Sequence, residues 1–359
     1  MTRSLEERLA RGGVSVAPAE GAPPIEAPWF VRAIQAFSGW LAALFLLGFI
    51  GMAAVFVLDS SAAAATLGLV LMGGAYALLR KTRGDFIEHL ALAASLAGQL
   101  LVAWALASAL AGVNAGVWWA LTVLQCTLAL VMPSLTHRTF SAFAASMAFY
   151  LALTESASAP SLSGGLVLLA LTVLWLDEFR WPAHIRQWQA LGYGLLLGLV
   201  AIHAVGYFGQ SLLLGRYFIG TGLDWLEPWA GDVLGILALV LLIRHVLQRH
   251  VSAVVPGMRV AAYVTVLVLA LLSLHAHGLS HGLVVLALGF AIGNRVIIGF
   301  GSLLLMFSIT NYYYWLDVTL LAKALTLFAL GIALLTARWV LRRWWRVGAT
   351  AAAGTGVDQ

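Results

Sequence analysis

The stretch QWQALGYGLLLGLVAIHAVGYFG, residues 187–209, decides the fold class of this chain. Its 23 residues include no Asp, Glu, Lys or Arg. A helix of about 20 mostly apolar residues crosses the roughly 30 Å hydrocarbon core of a bilayer. The apolar residues run continuously instead of alternating, which favours a helix over a strand of a barrel. We therefore predict a transmembrane helix here.

The composition extends this prediction to the whole chain. Of its 359 residues 62% are hydrophobic and 10% are charged, and the mean hydropathy is +0.95. These values are far from those of a soluble domain. We predict an all-α integral membrane protein, a polytopic bundle of about 12 transmembrane helices in contact with the lipid bilayer. The single cysteine, Cys126, excludes an intrachain disulfide and a Cys-based zinc site, and we predict no cofactor.

Twelve apolar segments are candidates for these spans. They lie near residues 35–58, 62–79, 89–110, 114–132, 139–156, 162–177, 187–209, 230–247, 259–276, 279–293, 296–313 and 319–340. Very short turns within 35–79, 139–177 and 259–293 leave ten or eleven spans open. In helices of this kind, small residues four apart, such as Gly194 and Gly198, favour close helix packing.

The chain divides into three parts. Residues 1–28 are predicted to be a cytoplasmic tail with a short amphipathic helix and a Pro/Ala-rich tether. This tail lacks the apolar core of a cleavable signal peptide. Residues 29–346 form the transmembrane helical domain, and residues 347–359 a flexible cytoplasmic tail.

Basic residues predict the orientation, because cytoplasmic loops are enriched in Lys and Arg. With twelve spans, eighteen of the twenty Lys and Arg residues fall on one side of the membrane. We therefore expect a multi-pass protein of the bacterial cytoplasmic (inner) membrane with both termini cytoplasmic and an even number of spans. The net charge of +5 is then a topology signal and does not indicate a nucleic-acid partner.

Lys323 lies inside the last apolar segment, near its outer end. One interpretation is that Lys323 extends its side chain outward to water while Asp317 caps the helix. The other is that Lys323 faces the bundle interior and pairs with an acid of another span or with an anionic group.

Other polar residues fall in the same outer half, and together they form the predicted binding set. Its members are Lys323, Asp317, Thr319, Asn311, Tyr312, Tyr313, Tyr314, His203 and Asp232. Each has a structural alternative: a hydrogen-bonded interior histidine for His203, a helix cap for Asp232, and an interfacial aromatic belt for the tyrosines. Gln99 and Gln125, in the middle of their spans, are expected to hydrogen-bond between helices.

The stretch HAHGLSH contains His275, His277 and His281, which are weak candidates for a metal site. Gly278 interrupts the helix that would place His277 and His281 on one face, and no carboxylate lies beside them. No metal is therefore predicted.

Searches for catalytic motifs find no nucleophile elbow, zinc-protease helix, phosphate-binding loop or dinucleotide fingerprint. Membrane enzymes can assemble sites from distant residues, so the enzyme question stays open and leans towards no.

The stretch NYYYWLDVTLLAK (311–323), together with GFAIGNR (289–295) and the opening PWFVRAIQAFSGW, resembles an uncharacterised bacterial integral-membrane family, a domain of unknown function. Members tend to occur beside a related multi-span protein and a small protein with a Gly-Asp-Tyr motif. The resemblance implies a fold type and a possible partner class but no catalytic role. Members often have Ser after the lysine, where this chain has Ala324.

Two functions remain open from the sequence. The first is a transporter or channel-like protein with an outer-half polar site around Lys323, for a solute that the sequence does not identify. The alternative is a non-catalytic membrane subunit or scaffold that binds another membrane or periplasmic protein at its extracytoplasmic face. Asp317, the tyrosines and the loop 215–231 would then form its docking surface.

Overall fold

The computed structural model describes residues 59–81, 85–180, 182–208, 229–249, 256–273 and 278–315. It also describes individual residues between 28 and 52 and between 319 and 339. The structural statements that follow concern these residues.

Ten α-helices are defined in the described ranges, which contain no strand. They are α1 (Ser61–Lys81), α2 (Asp85–Ala109), α3 (Ala115–Val131), α4 (Leu135–Ala157), α5 (Pro160–Leu176), α6 (Ile185–Phe208), α7 (Trp229–Arg249), α8 (Pro256–Ser273), α9 (Leu279–Ile292) and α10 (Arg295–Trp315). Two short 3₁₀ turns, Glu178–Arg180 and Pro182–His184, connect α5 to α6.

Local sequence signals explain where several helices begin and end. The side chains of Asn114 and Ser134 accept hydrogen bonds from backbone N–H groups in the first turns of α3 and α4. Pro160 opens α5, where its missing N–H has no cost. Gly293 ends α9 in the left-handed conformation, at φ 72°.

The ten helices coincide with ten of the twelve predicted apolar segments, with bounds that agree within four residues. The first and last predicted segments fall where only individual residues are described, and those residues, such as Phe45 and Leu325, are helical except Thr319.

The count of about twelve spans is not confirmed. In the described part of the chain, five helices are long and apolar enough to cross a membrane: α1, α2, α6, α7 and α10. The apolar stretches of α3, α5, α8 and α9 are shorter. The fourteen residues of α9 extend only about 21 Å, less than the roughly 30 Å of a bilayer core. The all-helical class and several apolar helices, typical of a membrane-spanning protein, are what the structure supports.

The main core lies between α4 and α10. Side chains from seven helices, α4 to α10, meet there, among them Tyr150, Leu168, Leu196, Leu288 and Leu304. Helix α6 packs against α4, α5 and α10 and so lies at the centre of this group. Large apolar side chains elsewhere point outward, such as Leu100 and Phe290, as expected for a bundle surrounded by lipid.

Glycines allow the closest helix approach, as the sequence predicted. A Cβ at Gly194 would overlap the carbonyl oxygen of Thr139, and one at Gly198 would overlap Ser146. These two positions bring α6 against α4 and confirm the packing role predicted for them.

Candidate functional site

Buried polar side chains from four helices meet at one end of the bundle. We call this group the polar cluster; it consists of His203 and Tyr207 (α6), Asp232 (α7), Ser280 and His281 (α9) and Ser308 (α10). A fifth helix, α5, brings Gly164 against it. This end of α6 is opposite to the end that carries Arg186, so the cluster lies away from the arginine-rich turns.

Asp232 holds the cluster together. It lies in the first turn of α7 and is only 2% exposed. Its Oδ1 accepts hydrogen bonds from the backbone N–H of Gly278, at 3.1 Å, and from the hydroxyl of Ser280, at 2.9 Å. Asp232 therefore caps α9, a neighbouring helix, where the helix dipole also favours a negative charge.

The backbone of Gly278 lies at the centre of the polar cluster. Its φ of 82° is in the left-handed region that favours glycine. A Cβ at this position would overlap the Tyr207 hydroxyl. Its carbonyl oxygen accepts a hydrogen bond from Ser308, at 3.0 Å, and Ser308 is also hydrogen-bonded to Tyr207. Four helices are thus joined around one glycine.

The two histidines lie side by side in the interior. The ring centroids of His203 and His281 are 4.8 Å apart, with a 62° angle between the planes. Nδ1 of His203 is 2.8 Å from the carbonyl oxygen of Leu199. Because a carbonyl can only accept, this Nδ1 carries a proton and, in the neutral ring, Nε2 is an acceptor. Nε2 of His281 is buried and has no hydrogen-bond partner among the described residues.

Gly164 leaves a small space beside both rings. A Cβ built at Gly164 would lie 3.7 Å from Cε1 of His203 and 3.9 Å from Nε2 of His281, which are ordinary contact distances. The space next to the open imidazole nitrogen is therefore about the size of a methyl group.

A second set of polar side chains, the polar chain, links α2, α3 and α4. Ser141 contacts Nδ1 of His137 at 3.1 Å, and Nε2 of His137 contacts the Ser95 hydroxyl at 2.8 Å. Gln99 donates to Ser95, and Gln125 donates to Oε1 of Gln99 at 2.7 Å. The predicted interhelical role of Gln99 and Gln125 is confirmed. His137 lies in the first turn of α4, at the arginine-rich end of the bundle.

A family model described as a domain of unknown function, DUF4401, matches residues 28–344. The chain belongs to the DUF4401 family. No curated protein and no solved structure matches the chain. The match confirms the resemblance seen in the sequence; the expected occurrence beside a small Gly-Asp-Tyr protein stays a prediction.

The structure of this DUF4401 member brings only part of the predicted binding set together. His203 and Asp232 meet in the polar cluster, together with His281 from the weak metal set. At the end of α10, Tyr312 is buried, Tyr313 exposed and Asn311 half-buried.

The rest of the predicted set does not join the cluster in the described part of the chain. Thr319 is exposed, and Tyr314 is helical but its side chain is not described. Lys323, Asp317, His275 and His277 lie outside the described residues, so a site centred on Lys323 stays a prediction. Among the described residues, no group of three His, Cys, Asp or Glu side chains is arranged to hold a metal.

Sequence reasoning missed Tyr207, Ser280, Ser308 and Gly164. One signal was present: Tyr207 follows His203 by four residues, so both occupy one helix face. Their rings are in contact, with centroids 5.5 Å apart. Single serines and glycines in apolar helices carry no comparable signal.

Proposed function

We propose that this DUF4401 protein is a proton-linked transporter of the bacterial inner membrane, with both termini cytoplasmic and the polar cluster as its proton-binding site. The observation that supports this most is the placement of Asp232 beside His203, His281 and Tyr207 in the interior of the bundle. Buried Asp and His side chains of membrane helices are typical of proton relays.

The energetic cost supports a functional role for this arrangement. Burying a carboxylate such as that of Asp232, which is 2% exposed, is costly even near the end of a membrane helix, and ionisable residues within membrane helices commonly mark functional sites. The hydrogen bonds that Asp232 accepts from Ser280 and from the Gly278 backbone tie α7 to α9, which is a structural role. The carboxylate and the two imidazoles are, in addition, groups that can gain and lose protons, and Nε2 of His281 faces the methyl-sized space beside Gly164.

The polar chain supplies hydrogen-bonding groups in the other half of the bundle. It begins near Glu88 and Ser134, whose side chains are hydrogen-bonded, and extends to Gln99 in the middle of α2. Hydrogen-bonded side chains in such a network polarise one another in the protein interior, and histidines within membrane helices are typical of proton relays. We propose that Lys323, Asp317, Thr319 and Asn311 complete the outer half, where a solute would enter.

Proton flux across reconstituted vesicles tests this proposal. The purified protein is placed in vesicles loaded with a pH-sensitive dye, and a potassium diffusion potential drives protons inward. We expect wild-type vesicles to acidify at least several-fold faster than empty vesicles, and Asp232→Asn to return the rate to that of empty vesicles.

Asp59→Asn is the matched control. It makes the same chemical change at an exposed position before α1, away from the cluster, and should keep the wild-type rate. Wild-type vesicles no faster than empty ones, or equal rates for wild type and Asp232→Asn, would contradict the proposal.

The second candidate is a non-catalytic membrane subunit or scaffold that binds a partner protein at the extracytoplasmic face. Two exposed aromatic side chains near the polar cluster, Tyr313 and Trp229, favour it. Absence of flux together with recovery of a second protein in fixed ratio from mild-detergent extracts would support this function.

A further inference from the structure

Arg138 carries a buried positive charge that the described structure does not neutralise. The residue lies in the first turn of α4 and is 8% exposed. Its Nη1 donates one long hydrogen bond, 3.3 Å, to the carbonyl oxygen of Ala129. Within the described ranges its Nε has no hydrogen-bond partner, and no carboxylate forms an ion pair with it. A buried charge without a counter-charge is costly, so this position favours an anion.

The side chain of Arg138 does not extend outward to the aqueous interface. Arginines near helix ends commonly reach the aqueous interface along their apolar stems. Arg180, at the same end of the bundle, does so: its side chain is 71% exposed and lies 3.9 Å from Asp177. Arg138 instead remains between helices, beside a cavity.

That cavity has the chemistry of an anion site. Its volume is about 320 Å³, and its described lining consists of Arg138, His184, Gln187, Trp188, Leu130 and Leu191. Four of these side chains can donate hydrogen bonds, and none is a carboxylate. The Trp188 Nε1–H is buried without a hydrogen-bond partner among the described residues. A planar guanidinium suits the two oxygens of a phosphate group.

An apolar groove begins at the same tryptophan. Its volume is about 550 Å³, and it is lined by Leu166, Leu169, Ala170, Val173, Leu174, Asp177, Arg180 and Trp188. The spacing of three and four residues places the α5 members on one helix face. From Leu166 to Asp177 the helix rises about 16 Å, a length that a lipid acyl chain can follow.

We propose that these two adjoining spaces bind one anionic membrane phospholipid, with its phosphate at Arg138 and an acyl chain along α5. The site lies at the arginine-rich end of the bundle, where basic pockets between membrane helices bind anionic headgroups. Free phosphate shares the same oxyanion chemistry, but the apolar groove beside the cavity favours a lipid.

Native mass spectrometry of the full-length protein tests the lipid site. The delipidated protein is titrated with phosphatidylglycerol, and one lipid is expected to bind at low concentration. Arg138→Gln should weaken this first binding step at least tenfold, and zwitterionic phosphatidylcholine should not replace the lipid. Arg186→Gln, which removes an exposed arginine outside the cavity lining, should bind as the wild type does. Equal binding by Arg138→Gln and wild type would overturn the proposal.

A second variant keeps the test decisive if Arg138→Gln does not fold. Ala170 is exposed in the groove, so Ala170→Phe fills the acyl-chain space without crowding the core. It should weaken phosphatidylglycerol binding several-fold, and unchanged binding would overturn the placement of the acyl chain.

Inorganic phosphate, titrated by calorimetry, should bind the wild type far more weakly than the lipid does. Phosphate binding as tight as lipid binding would assign the cavity to a free anion.

Discussion

At the residue scale, Gly164 and Gly278 limit what the polar cluster can accommodate, each in a different way. Gly164 leaves open space beside His281, whereas Gly278 allows Tyr207 to approach the backbone. Alanine at Gly164 should therefore affect proton flux, because it fills the space beside His281. Alanine at Gly278 should affect the stability of the fold, because it disturbs helix packing.

Gly164→Ala should impair function while leaving the fold intact. The added methyl group meets His203 and His281 at ordinary contact distances, so we expect the free energy of unfolding to change by less than about 1 kcal/mol. It fills the space beside Nε2 of His281, so proton flux in reconstituted vesicles should fall several-fold. Gly206→Ala, in α6 at a position where a Cβ would meet no described atom within 4 Å, is the control and should keep wild-type flux. Undiminished flux in Gly164→Ala would show that this space is not used.

Gly278→Ala should impair folding itself. The left-handed φ costs about 1–2 kcal/mol for an alanine, and overlap with the Tyr207 hydroxyl adds to this. We expect a loss of more than about 2 kcal/mol, measured as a lower melting temperature in detergent. Gly293→Ala shares the positive φ, but its Cβ would meet no atom of the described residues within 4 Å, so its loss should be smaller. Equal losses for both variants would mean that Tyr207 is not in contact with Gly278.

At the scale of the elements, alternating helix directions place the α2–α3 turn and the α5–α6 turn at opposite ends of the bundle. Arg180 and Arg186 flank the α5–α6 turn, whereas the residues of the α2–α3 turn carry no basic side chain. The positive-inside rule then predicts that the α5–α6 turn is cytoplasmic.

Single-cysteine labelling tests this orientation. In a Cys126→Ala background, Val113→Cys lies in the α2–α3 turn, where Val113 is 57% exposed, and Ala183→Cys lies in the exposed α5–α6 turn. A membrane-impermeant maleimide should label Val113→Cys in intact cells, once the outer membrane is permeable to it, and Ala183→Cys only after lysis. The reverse pattern would invert the topology, and labelling of both in intact cells would contradict a membrane-spanning bundle.

At the scale of the whole molecule, the fold class and most helix bounds followed from the sequence, because apolar run length is a local property. The number of spans did not follow. Helices such as α3 and α9 have 17 and 14 residues, and whether such short helices cross a membrane depends on tilt and on their neighbours.

Only part of the polar cluster could be predicted from the sequence, because its other members depend on contacts between helices. His203 and Asp232 stood out as ionisable residues in apolar segments, and His281 through its neighbouring histidines. Ser308 and Gly164 have no distinctive sequence pattern in their own helices. Their place in the cluster depends on contacts with other helices, which the sequence does not reveal. Arg138 is one of the eighteen Lys and Arg residues on the basic side of the membrane, and its burial depends on packing against α3 and α6, which the sequence does not reveal.

The most direct test of the account is whether Asp232 takes up a proton inside the membrane. Infrared difference spectra of the reconstituted protein between acidic and alkaline pH report the carbonyl stretch of protonated carboxyl groups. We predict a pH-dependent band that Asp232→Asn removes and that the Asp59→Asn control retains. A spectrum in which wild type and Asp232→Asn have the same bands would show that Asp232 does not exchange protons and would contradict the proposed proton-binding site.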